Sequence, residues 1–446
     1  MTLRLTLSPA PVALLALAVL GPRAASAQDT LRPPDGVRIG IEYRPGVRPA
    51  IVVLPSRGLD SVRAILTRDL DYSDRFEVIP LATGDSAAVA ANAGGRTVNY
   101  PLFRTLGAEY ALEVGMDGPG VTLRLHDVVA GTVRREQRFT FPAPFDVAFR
   151  LGVHRAADEV IRWISGTPGY AASQLLFVAD RKLFRVDSDG GGFTQVSAPG
   201  EEVLSPAWSP DGSRYAYTRF GAGAGAVVIQ GAGGGPRSVV PGTATALNIT
   251  PAFSPDGRLV AFAHSDENGT DVFVADVAQN CCVQRLTVGR YSDNLSPTFA
   301  PDGRRIAFVS TRAGQPQIYV MAADGTDQEL FAPFDYGATG PSNAPEWSPD
   351  GASVVFHRDV SRAPQVFVLD VATRRVRQLT SAGRNEDPTW APDGRHIAFV
   401  SDRSGRRQLW VIDTVTGRIR QLTFLGQARL PAWSRRFAEP GSPTTH

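Results

Sequence analysis

Lysine is almost missing from this chain: among 46 basic residues, Lys182 is the only one. Any chemistry that needs a side-chain amine must use that residue or be absent. Cysteine is nearly as scarce, since the two that occur are neighbours, Cys281 and Cys282. They can remain two quiet thiols, pair with each other across a strained local backbone, or serve a metal or redox role. Past the first 27 residues no apolar run approaches the ~18 residues of a membrane span. An excess of one charge is lacking too, with 46 basic residues against 44 acidic ones. Glycine (44) and proline (34) are abundant. They follow no collagen-like period, so a turn-rich, β-rich chain is favoured. With 43% hydrophobic and 20% charged residues the composition is globular, and 446 residues suggest two or three domains.

Residues 1–27 read as an export signal. Arg4 supplies a basic start, residues 11–20 an apolar stretch, and Ala25, Ser26 and Ala27 a small-residue cleavage site. Cleavage is expected after Ala27, with no lipid anchor, because no cysteine follows the apolar stretch. Removal takes away Arg4 and Arg23 and no acid, which leaves a neutral chain. A neutral exported protein has no overall electrostatic reason to bind nucleic acid or an anionic bilayer.

An internal repeat organises the second half. Ser-Pro-Ala-Trp208-Ser-Pro-Asp211-Gly212 returns as Thr-Pro-Ala-Phe253-Ser-Pro-Asp256-Gly257 and as Ser-Pro-Thr-Phe299-Ala-Pro-Asp302-Gly303. It returns again around Trp347 and Trp390, and in truncated form at Trp433. The aromatic spacings are 45, 46, 48, 43 and 43, the ~40–50-residue period of a four-stranded propeller blade. Pro206, Pro251, Pro297, Pro345, Pro388 and Pro431 precede the aromatics by two residues. We expect each at the first position of a strand, where a missing N–H costs least. Pro-Asp-Gly then makes a tight hairpin, with glycine at positive φ. The earliest second strand, 175–178, lacks a first strand of its own, and residues 431–434 supply one. Six blades over 174–434 follow, closed by pairing the two ends of the repeat region.

Residues 37–165 differ. Strands are expected at 37–41, 50–54 and 76–79. Leu59, Val62, Ile65, Leu66 and Leu70 recur at helical spacing, Tyr100 begins a short helix, three strands lie between 110 and 141, and a final helix spans 146–165. The expected map is a signal peptide (1–27), a flexible segment (28–36), a mixed α/β sandwich domain (37–165), a linker (166–173), the six-bladed propeller (174–434) and a tail (435–446). The fold class is multidomain, α/β followed by all-β.

Propeller topology puts the segments entering the first strands on one face, together with the loops from second to third strands. The entering segments carry Asn248, Arg290, Asn294, Asn343, Arg384, Asn385, Glu386, Gln427 and Arg429. The companion loops carry Arg219, His264, Arg312, Arg358 and Arg403. Arginine and asparagine make several hydrogen bonds from semi-rigid groups, so this face reads as a protein-binding surface; a solvated channel rim is the alternative. His357 belongs to the same candidate set. His264 and His357 end second strands of two non-adjacent blades beside Asp266 and Asp359, yet two histidines are short of a metal's three or more ligands. No Gly-x-Ser-x-Gly nucleophile elbow occurs. Gly221 to Ala226 mimics a phosphate loop without a following helix or a nearby lysine. Asp187 to Gly190 and Asp324-Gly325 are fragments of calcium loops without a distal glutamate. No catalytic residue, metal or cofactor is expected; the alternatives are an exported propeller enzyme acting on glycans or peptides, or a generic propeller interaction module.

Taken together, the export signal, the small α/β domain and the six repeats resemble the TolB family of the Gram-negative periplasm. So do Arg48-Pro-Ala-Ile-Val-Val-Leu-Pro55 and Leu106-Gly-Ala-Glu-Tyr-Ala-Leu-Glu-Val114. The resemblance implies a non-enzymatic periplasmic scaffold of the Tol–Pal system, supporting envelope integrity and constriction at division. It implies a monomer whose propeller face holds a Pal-like lipoprotein: Asn248, His264, Arg290, Asn294, Arg312, Asn343, His357, Arg384, Asn385 and Arg403. It implies a TolA-like inner-membrane partner for the segment after the signal, where Val37, Arg38, Ile39 and Ile41 match the family pattern. Residues 30–36 are longer and richer in proline than that pattern.

Overall fold

The computed structural model describes residues 48–56, 58–81, 98–118, 120–142, 147–221, 224–240, 246–279, 281–289, 291–332, 340–424 and 426–437. The export signal, the strand expected at 37–41 and the contact residues Val37, Arg38, Ile39 and Ile41 lie outside these. So does Arg290. The described residues belong to one compact unit. Among them no helix is long and apolar enough to cross a membrane.

The first part is a mixed sheet with helices. Strand β1 (Ala50–Val53) runs parallel to β2 (Glu77–Ile79) on one side and to β3 (Tyr110–Asp117) on the other. β4 (Gly120–Asp127) and β5 (Thr132–Phe139) extend it antiparallel. Alternation along β1 divides its side chains between two cores. Ile51 and Val53 pack with Val62, Leu66 and Leu70 of α1 (Asp60–Tyr72) and with Val153, Ala157 and Val160 of α3 (Val147–Ser165). Val52 and Leu54 pack with Phe103 of α2 (Tyr100–Thr105). Asn99 caps α2 by accepting the Leu102 N–H at 3.2 Å.

The remainder is a β-propeller built of four-stranded antiparallel meanders, numbered here in chain order. Meander 1 joins β6 (Gln174–Ala179), β7 (Lys182–Asp187) and β8 (Thr194–Gln195) to the last strand, β29 (Ala428–Trp433). Meander 2 is β9 (Glu202–Trp208) to β12 (Arg237–Val239), and meander 3 is β13 (Leu247–Phe253) to β16 (Cys281–Arg285). A single pair, Gly225 with Leu247, links these two into one eight-stranded sheet. Meander 4 is β17 (Asn294–Phe299) to β20 (Glu329–Leu330), meander 5 is β21 (Ser342–Trp347) to β24 (Val376–Gln378), and meander 6 is β25 (Asn385–Trp390) to β28 (Ile419–Gln421). Buried apolar clusters join each meander to the next, and the cluster of Leu409, Val411, Leu175 and Phe177 returns from meander 6 to meander 1. The closure is reinforced beyond β29, where the Gln174 and Ser434 backbones bond and Phe437 packs on Trp208. The expected tail therefore begins as part of the packed structure.

The repeat prolines do not open their strands, as the sequence suggested. Each sits inside one, where two residues oppose one on the neighbouring strand. Ser296 and Pro297, for example, face Phe308 alone, between the pairs Leu295–Val309 and Thr298–Ala307. The same slip occurs in all six first strands. A bulge releases the ladder at that point, so proline's missing N–H costs nothing there. The residue before each proline takes positive φ: Ser205, Thr250, Ser296, Ala344, Asp387 and Leu430 lie between +50° and +53°. Three of the amides so displaced find side chains on the neighbouring meander. Ser296 N–H donates to Thr250 Oγ1 (3.1 Å), Asp387 N–H to His357 Nδ1 (3.2 Å) and Leu430 N–H to Asp387 Oδ2 (3.4 Å). In the turns that follow, Gly212, Gly257, Gly303, Gly351 and Gly394 take φ of +66° to +72°, a conformation that favours glycine.

Candidate functional site

The face where chain enters the first strands carries a repeated polar staple. Asn294 donates from Nδ2 to Asp271 Oδ1 of meander 3 at 3.0 Å and accepts from Arg312 of its own meander at 3.1 Å. Thr287 donates to the same Asp271 at 2.6 Å, and Arg285 pairs with that carboxylate. Between meanders 5 and 6 the pattern returns with neutral partners. Asn385 donates to Gln365 Oε1 at 2.8 Å and accepts from Arg403 at 2.8 Å, while Thr380 donates to Gln365 at 2.9 Å. Asn248 bonds the Gly225 carbonyl and His264 Nδ1, both at 2.8 Å. In meander 5, Ser342 takes the asparagine position and accepts from Arg358 at 2.8 Å. Each staple thus ties the start of a first strand to its own second strand or the loop beyond, and most also reach the preceding meander. Buried side-chain amides with their hydrogen bonds made are stabilising, whereas unmade ones are costly.

At the far ends of the first strands from this rim, their prolines and aromatics, with the turn prolines that follow, line a cavity of about 250 Å³. Glu346 stands at a position held by Ala or Thr in the other repeats. Its Oε1 accepts the Trp390 N–H at 3.0 Å. Desolvation raises its carboxyl to about pH 7 despite bonds from Thr389 and Trp390 and the nearby Arg435. Burial pushes His357 down to about 4, so it is neutral at physiological pH.

The family model described as the TolB beta propeller domain matches residues 162–335 and 336–438, more than half of the chain. The chain belongs to the TolB family. A TolB structure from Acinetobacter baumannii is 25% identical, with a TM-score of 0.74 over 88% of this chain and 98% of that one. The Tol-Pal system protein TolB of Methylococcus capsulatus is 32% identical over 205 residues, 43% of this chain and 47% of that protein. Its counterpart from Mannheimia succiniciproducens is 31% identical over 233 residues, 47% of this chain and 52% of that protein. The chain spans about half the length of the curated relatives it matches.

Within this TolB-family propeller the expected contact residues separate into two groups. Asn248, Asn294 and Asn385 are fully buried. They hold neighbouring meanders together and are not presented to a partner, because their amides are consumed by the staples. His357 is buried as well, its Nδ1 taken by Asp387. Asn343 and His264 are half-buried, Arg403 is half-buried with its far end on Asn385, and Arg312 and Arg384 are exposed. His264 and His357 are not equivalent as the sequence suggested. His264 pairs with Asn248 but His357 with Asn343, one register position away, so they point to opposite faces of their strands. Three apolar residues on this face went unnoticed in the sequence: Val288 (77% exposed), Tyr291 (101%) and Phe424 (74%). The signal for them was an apolar residue stranded in a loop between two polar anchors.

A second polar system lies where the α/β domain meets meanders 1 and 6. Asp69 of α1 pairs with His154 Nδ1 of α3 at 2.7 Å, and His154 Nε2 faces Asp187 and Asp189 at 3.6 and 4.0 Å. Arg150 reaches both aspartates at 2.7 Å. Burial opposes a charge on His154, but the three carboxylates prevail and raise it to about 10. Just past α1, Asp74 meets His396 at 3.2 Å, Arg418 at 2.9 Å and Arg420 at 3.1 Å. Arg395 grips Asp413 with two bonds of 2.7 Å. Asp69, His154 and Asp189 converge within 4.8 Å, as do Asp74, His396 and Asp413. Guanidinium and imidazole groups already occupy these carboxylates, so both sets read as ion-pair clusters rather than metal sites.

Proposed function

We propose that the chain serves in the periplasm as a non-enzymatic scaffold of a Tol–Pal system. In this reading residues 1–27 are an export signal cleaved after Ala27, and the six meanders are the blades of a closed six-bladed ring. The observation that carries it is the entry face. There Arg312, Arg384, Val288, Tyr291 and Phe424 stand exposed on loops anchored by buried staples. Apolar and aromatic groups beside arginines on a rigid base are the composition of a protein-docking surface. The partner proposed is a Pal-like lipoprotein, and His264, Asn343, Arg403 and, from the sequence alone, Arg290 complete the contact set. Residues 28–41, with Val37, Arg38, Ile39 and Ile41, would contact a TolA-like inner-membrane protein. Coupling between the two requires that one partner bind two positions of that segment with different affinity.

Calorimetric titration of residues 28–446 with the soluble domain of the host's own Pal-like lipoprotein tests this. Saturable one-to-one binding, weakened by Tyr291→Ala and Arg384→Ala, is the expected result. Binding that changes when residues 28–41 are deleted supports the coupling, and unchanged binding removes it. Absence of binding overturns the scaffold reading.

A further inference from the structure

Cys281 and Cys282 form a disulfide between adjacent residues, so the alternative of two thiols is set aside. A disulfide that stabilises through the unfolded chain does so by closing a loop, and the effect grows with loop length. This one encloses no intervening residue, so that account gives it almost nothing. Its position suggests another purpose. It begins β16, the outermost strand of meander 3, with no further strand beyond. The ladder to β15 (Gly269–Asp276) slips there: Asp276 pairs with Cys281 and Val274 with Gln284, leaving Cys282 and Val283 opposite Ala275. Cys282 is exposed and has φ of +65°, outside the range that a non-glycine residue prefers. Three residues past Cys282 the strand ends at Arg285, and Arg285 and, two residues further, Thr287 both bond Asp271. That is the carboxylate on which Asn294 and the entry-face staple rest.

We propose that Cys281–Cys282 is a thiol-exchange site, opened to a vicinal dithiol by a dithiol oxidoreductase, and that opening it loosens β16 and its hold on Asp271 at the entry face. A thiolate of the oxidoreductase attacks the exposed Sγ of Cys282. The S–S bond breaks, its electron pair leaves on Cys281 Sγ, and a mixed disulfide forms. The second oxidoreductase thiolate attacks its own partner sulfur and expels Cys282 as a thiolate. Two electrons have then passed to this chain, the oxidoreductase carries the disulfide, and the two protons it gave up end on Cys281 and Cys282. The chain holds no other cysteine, so the pair cannot reshuffle internally.

The test uses the full mature chain, undenatured, with dithiothreitol as the dithiol probe. Ellman titration is expected to find no thiol before treatment and two per chain after it, both then blocked by phenylarsine oxide. Hydrogen exchange over residues 272–294 is expected to quicken by about tenfold on reduction, and in the Cys281→Ser/Cys282→Ser variant without reductant. Thiols that appear only in denaturant, or two thiols already present before treatment, overturn the exchange site. Thiols released on schedule with exchange unchanged in both the reduced chain and the variant overturn the link to the entry face.

Discussion

The two ends of the propeller strands are both polar but use that polarity in opposite ways. At the entry face most contacts between meanders run through side-chain amides and hydroxyls, as in Thr380, Gln365 and Asn385, and Arg312 and Arg403 lie at the outer ends of their chains of bonds. At the joint with the α/β domain the charges are turned inward, with Asp74, His396 and Asp413 fully buried. Where the interior of a staple is neutral, as around Gln365 and Asn385, the cation sits at its outer end, within a partner's reach. A buried charged cluster has no group to spare and costs much to break, since removing one partner strands the others. The first arrangement suits docking and the second a permanent weld.

Breaking the weld should have the largest effect. Asp74→Asn keeps the shape at φ +54° but leaves His396, Arg418 and Arg420 without their shared anion. A loss of about 3–5 kcal/mol in denaturant melts is expected. The weld's pH limits follow from its titrating groups. His154 is raised to about 10, so its contribution is complete below its usual value near 6.5 and is lost as pH rises through about 10. Asp74 and Asp187 are lowered by their cationic partners against the cost of burial. Their contribution is present above the usual carboxylate range and lost as acid protonates them below it. The protection factors of the α3 amides, which correct for the pH dependence of exchange itself, should therefore be high at neutral pH and fall at both extremes.

Asn385→Ala should cost less, about 1–3 kcal/mol in thermal melts, since it removes a neutral bond to Gln365 and one from the Arg403 cation but strands no buried charge. If the loss equals that of Asp74→Asn, the contrast between the two ends fails. Glu346→Gln sharpens the comparison from within the cavity. An acid raised to about 7 loses stability as pH climbs from its usual value through 7. The variant should gain about 2 kcal/mol over the parent at pH 8 and almost nothing at pH 4. Smallest is Arg384→Ala, within about 0.5 kcal/mol in melts, with its effect confined to partner affinity.

Repeats, strands and turns were legible because they rest on local rules: a period, a proline two residues before an aromatic, a glycine in a turn. The bulge was not, because it depends on pairing. Proline looks like a strand opener until Phe308 is seen opposite two residues. The burial of Asn294 was hidden for a similar reason, since Asp271, its partner, lies 23 positions away on another meander. The joint was least legible. Asp69 and Asp74 resemble the wet side of an amphipathic helix and its end, while His396 is 322 positions from Asp74. The disulfide could be posed as a question from the sequence, but only the slip between β15 and β16 gave it a setting.

The closure of meander 1 has a consequence for how the chain assembles. Gln174 and Ser434, 260 positions apart, bond to each other only after the last strand has been made. Until then β6 lacks its neighbour and five complete meanders form an arc with an open edge at each end. Contacts this distant in the chain are slow to form, and exposed strand edges invite pairing with other molecules. The newly made protein thus passes through an interval in which β6 is an unpaired edge, and that interval ends with six residues, Ala428–Trp433.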